Sequence, residues 1–370
     1  MLSKLKAKHV HVVICEFIIL LILSTVLISR GMARESAMYT QLQDPDKKII
    51  KWVDFDVSCE ALDRAYRYDV ETKDSEVHLN WIELLAYLGA KYGGDFSKYR
   101  QKHMTELADK LTGGKATMEE LTRNMKYYEY YLEAYTAVLG GMVGEYQIEV
   151  KDDTAPGGKR WEEKYGLKAF LPIAKNYPFS HSDDFGVSRS YGFKRKHLGH
   201  DMMGQVGTPI IAVESGYVEA LGWNQYGGWR IGIRSFDKKR YYYYAHLRQN
   251  FPFNKSLEVG SVVQAGDVIG YLGRTGYSSK ENVNNIRTPH LHFGMQLIFD
   301  ESQKESMNEI WIDCYELIKF LYRNRSETVR DPETKEHHRA YQMIDPVAQE
   351  YINHQIYDYD DENIGIHIYE

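Results

Sequence analysis

Three residues with zinc-ligand chemistry stand at spacings that would let them share one site. His290-Leu291-His292 lies well downstream of His197-Leu198-Gly199-His200-Asp201. A strand sends alternate side chains to opposite faces, so His290 and His292 point one way while Leu291 points to the core. His197 and Asp201 are four residues apart, a spacing that puts both on one face of a helix or of an extended segment. His197, Asp201 and His292 can therefore converge on one cation. Two imidazoles and one carboxylate, leaving a fourth tetrahedral position for water, are a catalytic zinc set. Calcium and magnesium prefer shells made wholly of oxygen. Only one of the three ligands is anionic, so the ion keeps most of its charge; zinc bound this way acidifies water to a pKa near 7 and polarises carbonyls.

Hydrolysis also needs groups that move protons. Tyr244-Ala245-His246-Leu247 closes a tyrosine-rich run, and alternation places His246, Tyr244 and Tyr242 on one face of that strand. His290 stands roughly 7 Å along its strand from His292, near enough to touch a water at the metal without binding the metal. His246 and His290 are the candidate acid–base pair. His200 alternates away from the ligands, and His337-His338 sits among charged residues without other ligands, so neither is assigned a role.

The elements that must carry these residues follow from periodicity. From about residue 167 onward, short β-like runs alternate with glycines: Pro209 to Val213, Tyr217 to Leu221, Trp229 to Ile233, Arg240 to His246, Val268 to Leu272 and His290 to Leu297. That texture predicts a β-sandwich or barrel, with a helix after it over Asn308 to Arg323. Upstream the pattern is helical. Asn80 through Tyr92 is amphipathic and runs into Gly93-Gly94, and another stretch spans Lys102 to Leu111. Thr117-Met118-Glu119-Glu120 has the form of a capping box, followed by Leu121, Met125, Tyr128, Leu132, Tyr135 and Leu139 at helical spacing before Gly140-Gly141. The tyrosine and leucine stripe reads as a packing face, since one apolar stripe is what any surface helix needs.

The chain has 370 residues, 43% hydrophobic and 26% charged, with a formal net charge of −6. This balance supports a sizeable core and argues against a nucleic-acid partner, which would call for a basic surface. Val10 to Ile28 is a mostly apolar run near the roughly 20 residues that cross a bilayer. It is preceded by Lys4, Lys6 and Lys8, which favours an uncleaved signal anchor with the N-terminus cytoplasmic and the remainder extracytoplasmic. Three cysteines, Cys15, Cys59 and Cys314, form neither a disulfide scaffold nor a C-x-x-C zinc site.

The ordered set of motifs resembles the lysostaphin or LytM type of zinc metallopeptidase. Its H-x-G-x-D motif stands as His197 to Asp201, preceded by Ser190-Tyr191-Gly192-Phe193-Lys194-Arg195. Its glycine landmarks follow at Gly207, Gly216, Gly227-Gly228, Gly266, Gly270, Gly273 and Gly276, with Tyr244-Ala245-His246-Leu247 between them and His290-Leu291-His292-Phe293 closing the match. The resemblance spans roughly Leu171 to Leu317. It implies His197, Asp201 and His292 as zinc ligands, His246 and His290 as the catalytic pair, and a mainly antiparallel β-sandwich with a groove for an extended peptide of bacterial peptidoglycan. Two departures affect the groove rim: a longer Ser278 to Pro289 loop containing Asn282, Asn284, Asn285 and Arg287, and Gly294 where glutamate is common.

The expected fold class is α+β. Residues 1–35 form a cytoplasmic tip and transmembrane anchor, 36–150 a helical domain, 151–165 a linker, 166–325 the LytM-like zinc peptidase domain, and 326–370 a charged tail. The expected function is a membrane-anchored zinc endopeptidase of the cell wall, with the helical domain available to an envelope partner. The alternative is a scaffold or regulator of an envelope or sporulation complex that keeps zinc without turning over substrate. Degenerate family members of that kind usually lose ligands, and here all five positions are present.

Overall fold

The computed structural model describes residues 50–190, 194–304 and 308–364. The predicted anchor over Val10 to Ile28 lies outside these residues. Among the described residues no helix is long and apolar enough to cross a membrane.

Five helices lead: α1 (Cys59–Glu71), α2 (Trp81–Tyr92), α3 (Gln101–Thr112), α4 (Met118–Thr122) and α5 (Tyr128–Leu139). The Asn80 side chain accepts from the Ile82 and Glu83 amides to start α2, and Gly93, at φ 66°, ends it. Left-handed backbone is open to glycine because it lacks Cβ. The capping box is present at α4, but the expected continuous helix breaks after Thr122, whose hydroxyl donates to the Met118 carbonyl. The chain then turns through Met125, and α5 buries Tyr128, Tyr135 and Leu139 of the expected stripe together with Tyr131 and Val138. At Gly89 a Cβ would lie 2.9 Å from the Tyr135 hydroxyl; its absence lets the tyrosines of α5 lie directly on α2.

The strands are β1 (Val143–Lys151), β2 (Lys159–Leu167), β3 (Ser180–His181), β4 (Ser188–Ser190), β5 (Lys194–Lys196), β6 (His200–Met203), β7 (Pro209–Ile211), β8 (Gly216–Asn224), β9 (Gly228–Ser235), β10 (Arg240–Ala245), β11 (Val262–Val263), β12 (Val268–Tyr271), β13 (His290–Leu297) and β14 (Ile310–Trp311). Helix α6 (Tyr315–Leu321), β15 (Thr328–Arg330), β16 (His337–Arg339), β17 (Met343–Ile344) and α7 (Pro346–Ile364) complete the chain. An eight-stranded sheet runs β11-β8-β9-β10-β13-β6-β3, with β14 also on β13; β7 and β12 form a separate pair. Every strand pair is antiparallel. One face of the large sheet buries Met202, Ile231, Ile233, Tyr242, Tyr244, Leu291, Phe293 and Met295. The β7–β12 layer covers that face, where the Val213 amide donates to the Tyr244 hydroxyl at 3.0 Å. The fold is thus mixed α and β with several antiparallel sheets, the expected helix being shortened to α6.

Two boundaries differ from expectation. The stretch 151–165, read as a linker, is the turn and second strand of a hairpin in which β1 and β2 pair over nine residues, from Val143↔Leu167 to Lys151↔Lys159. The Asp152 carboxylate accepts from the Thr154 amide at 2.9 Å, so the polar turn closes a hairpin rather than separating domains. The expected tail, 326–370, contributes β17, which pairs with β1, and Asp345, which meets Lys168 in a buried pair at 2.8 Å. Glu327 and Arg339 in the same stretch likewise pair with Lys175 and Asp267.

The helical and sheet regions belong to one compact unit, Val53–Glu370. Arg240, at the head of β10, is 1% exposed. It donates to the Ala137 carbonyl at the end of α5 at 2.7 Å and to the Glu214 carboxylate at 2.7 and 3.0 Å. Glu214 also accepts from the Tyr242 hydroxyl at 2.5 Å, and Gly141 leaves the space that the Glu214 carboxylate fills. On the far side Phe320 of α6 packs on Tyr66 and Trp81, with ring centroids 5.7 and 5.9 Å apart.

Removing a buried cation while its carboxylate stays is strongly destabilising. Arg240→Met is expected to cost about 3–5 kcal/mol in urea unfolding followed by circular dichroism; a loss under about 1 kcal/mol would show that Arg240 does not hold the seam.

Candidate metal centre

Strand β13 sits between β6 and β10, and its register places His292 opposite Asp201 on one side and Ala245 on the other. Paired residues on neighbouring strands face the same way, so Asp201 and His292 share a face while Leu291 and Phe293 point into the core. His197 arrives from the turn before β6, where its amide donates to the Val187 carbonyl at 2.9 Å. The three expected ligands meet. His197 Nε2 and Asp201 Oδ1 are 3.0 Å apart, His197 Nε2 and His292 Nδ1 3.0 Å, and His292 Nδ1 and Asp201 Oδ1 3.0 Å. Among the described residues, they are the one group of three or more His, Cys, Asp or Glu side chains able to hold a metal ion.

The donor set fits zinc. Three lone-pair atoms in a closed triangle cannot all be satisfied by one shared proton, whereas one cation satisfies all three. Bonds of about 2.0–2.1 Å in a tetrahedral shell separate ligand atoms by roughly 3.3 Å, close to the observed spacing. His197 Nδ1 donates to the Asp184 carbonyl at 3.1 Å and lies 3.2 Å from the Asp184 carboxylate. That bond leaves Nε2 as an acceptor toward the triangle and fixes the ring. Gly199 is required by close approach, since a Cβ there would lie 2.5 Å from His292 Cε1 and 2.9 Å from the Phe293 carbonyl. Burial raises the Asp201 carboxyl, but the close contacts of His197 and His292 outweigh it and hold the group well below the usual carboxylate range.

His246 and His290 stand beside this triangle, with ring centroids 4.8 Å apart. His290 Nε2 is 3.7 Å from Asp201 Oδ1, and its Nδ1 donates to the Thr288 carbonyl at 2.8 Å. His246 Nδ1 donates to the Thr275 carbonyl at 2.9 Å. In both rings the backbone contact leaves Nε2 free for the groove. Burial, then the neighbouring His290 and His292, pushes His246 far below the ordinary histidine range, so it is neutral at pH 7.

One expectation about His246 is corrected. Alternation groups it with Tyr242 and Tyr244, yet both tyrosines are fully buried in the core while His246 lines the groove. The strand ends at Ala245, and His246 takes a left-handed conformation, φ 62°, that turns its ring to the opposite side. Such a conformation is strained for a residue with a Cβ and recurs at functional sites. His200 points away from the triangle and bonds His181 at 2.8 Å. His337 and His338 lie on β16.

The groove encloses about 300 Å³. Its wall includes Arg189, Arg195, Tyr243 and Tyr277, which periodicity did not single out. Arg189 binds the Asp184 carboxylate and lies 3.4 Å from Asp201 Oδ2. Gly294 also has a spatial reason, because a Cβ there would lie 2.7 Å from the Trp311 ring. The approach segment is described only at Ser190, Lys194 and Arg195.

Residues 195–308 match the profile of peptidase family M23. The chain is 40% identical over 131 residues to the L-Ala–D-Glu endopeptidase of Bacillus subtilis, a match covering 35% of this chain and 38% of that protein. It is 40% identical over 98 residues to the glycyl-glycine endopeptidase ALE-1 of Staphylococcus capitis, covering 26% and 24%. The chain thus spans well under half the length of these relatives. A crystal structure from Ruminococcus gnavus, of a protein provisionally named a glycyl-glycine endopeptidase, aligns with a TM-score of 0.50 at 22% identity. It covers 78% of this chain and 96% of that one, so the shared fold extends well beyond residues 195–308.

Two substitutions test the architecture of the centre through bound zinc, measured by elemental analysis and competition with a chelating dye. Gly199→Ala is expected to displace His292 and abolish stoichiometric zinc. Asp184→Asn is expected to weaken zinc binding about 10- to 100-fold, the usual effect of losing a group that orients a ligand; unchanged affinity would show that the carboxylate plays no part and leave the backbone carbonyl alone to orient His197.

Proposed function

We propose that this chain, whose residues 195–308 carry a LytM-type peptidase family M23 domain, is a zinc metalloendopeptidase that cuts peptide bonds in bacterial peptidoglycan. The observation that carries the reading is the pairing of a three-ligand triangle with two imidazoles fixed by backbone carbonyls, all on one wall of an open groove. The activities for which the relatives are named, all peptide-bond cleavages, support it. We also propose that the apolar run Val10 to Ile28 anchors the chain in the membrane with the peptidase domain extracytoplasmic, where the wall lies.

His197 Nε2, Asp201 Oδ1 and His292 Nδ1 would hold the zinc, which when bound polarises the scissile carbonyl and acidifies water. The other steps belong to the chain. An extended peptide lies along the groove with its carbonyl facing the triangle. His290 and His246 each present Nε2 as a proton acceptor, because each donates from Nδ1 to a carbonyl. One removes a proton from the attacking water, and its protonated form then delivers that proton to the leaving nitrogen. The second imidazole takes a proton from solvent at Nε2, donates it as a hydrogen bond to the oxyanion of the tetrahedral intermediate, and returns it to solvent when the intermediate collapses. A buried imidazole that resists charge is a strong acid when it does take a proton, which suits His246 to donation.

The full-length chain incubated with purified peptidoglycan is expected to release new amino termini, to stop when a chelator is added and to resume with zinc. His246→Ala and His290→Ala are expected to retain zinc yet lower the rate about 10²- to 10⁴-fold. Full zinc occupancy with no new amino termini from walls of varied cross-link chemistry would replace the enzyme reading with that of a non-catalytic scaffold.

A further inference from the structure

The groove contains a cation that the reaction scheme leaves unused. Arg195, on β5, is half-buried and lines the same cavity as the ligands and the two imidazoles. Its guanidinium carbon lies 4.9 Å from the centroid of the Tyr277 ring. Its Nε is buried and has no hydrogen-bond partner among the described residues. Arg189 beside it differs, because Asp184 and Asp201 both pair with it. A buried donor left unmatched is costly, and an arginine held flat on an aromatic ring is preorganised to present its planar fork to a carboxylate.

The platform beneath Arg195 is firmly placed. Tyr277 adopts φ 47°, and its carbonyl accepts from the Asn285 side-chain amide at 2.6 Å. The rest of the long loop is laced to the neighbouring turn by side-chain amides. Asn282 accepts from the Trp229 indole at 2.9 Å and donates to Asn250 at 2.6 Å, while Asn284 donates to Gln249 at 2.8 Å. The asparagines that make this loop unusual therefore fix a rim. Tyr277 also packs against His246, with centroids 5.6 Å apart, so the same ring touches both the arginine and a candidate catalytic imidazole.

We propose that Arg195, seated on Tyr277, determines specificity by binding a carboxylate of the substrate, so that the preferred substrate is an acidic peptide whose free carboxylate adjoins the scissile bond. The inference rests on the peptidase reading of the same groove. An arginine bound to a carboxylate makes charge-assisted, often bidentate hydrogen bonds that a carboxamide cannot match.

The test uses the full-length, zinc-loaded chain and two sets of wall peptides that differ only in carrying a carboxylate or a carboxamide on the residue beside the cut bond. The expected result is a kcat/KM roughly 10- to 100-fold higher for the acid. Arg195→Gln should bring the two within about threefold, chiefly by raising KM for the acid, and Arg195→Lys should restore part of the preference. Zinc content of both variants checks that they fold. Equal cleavage of acid and amide by the wild-type chain, or a preference that survives Arg195→Gln, overturns the role of Arg195 and leaves the peptidase reading intact. Cleavage of neither set overturns both.

Discussion

The pairing of β6 with β13 is the constraint on which the rest of the site depends. With Asp201 opposite His292, an anionic oxygen and an imidazole nitrogen are brought to 3.0 Å on the open face of the sheet. A slip of one residue would send His292 toward the core and bring Leu291 out. The register is pinned from the other side, where Met202, Leu291, Phe293 and Tyr244 are buried together. Core packing thus sets the geometry of the polar face, and a strongly apolar interior is what makes an expensive cluster of like lone pairs tolerable.

Around this pair the chain spends its irregular features. The glycine at 199 lets backbone press against His292, the left-handed residue at 246 swings an imidazole out of the core face, and Asp184 holds His197 from behind. Each is unfavourable or unremarkable in isolation and is intelligible only through what it positions. The helical layer, bound through Arg240 to the strand that delivers His246, fixes the start of β10 in the same unit. A rigid scaffold of this kind suits a site whose parts must stay within fractions of an ångström.

Much of this was legible in the sequence, for identifiable reasons. His290-Leu291-His292-Phe293 alternates strictly, so both its strand and its faces could be read, and β13 begins and ends where expected. The convergence of His197 and Asp201 with it followed from spacing and the family resemblance. The outward turn of His246 was hidden because a left-handed non-glycine residue has no local signature. The hairpin of β1 and β2 was hidden because Asp, Pro and Gly mark a hairpin turn and a linker alike, and its strands carry many charges. The structural role of residues beyond 326 rests on partners far away in sequence, such as Lys168 with Asp345. Asp184, Arg195 and Tyr277 belong to segments with no periodicity, and only the tertiary fold gives them neighbours.

The proposed activity requires that His197, Asp201 and His292 grip a single zinc ion. Anomalous diffraction from crystals of the zinc-loaded protein, measured on both sides of the zinc absorption edge, tests it most directly. One peak within about 2.0–2.2 Å of His197 Nε2, Asp201 Oδ1 and His292 Nδ1 is the predicted result. A zinc peak elsewhere, or a triangle that stays closed on itself while zinc is in excess, would contradict the account.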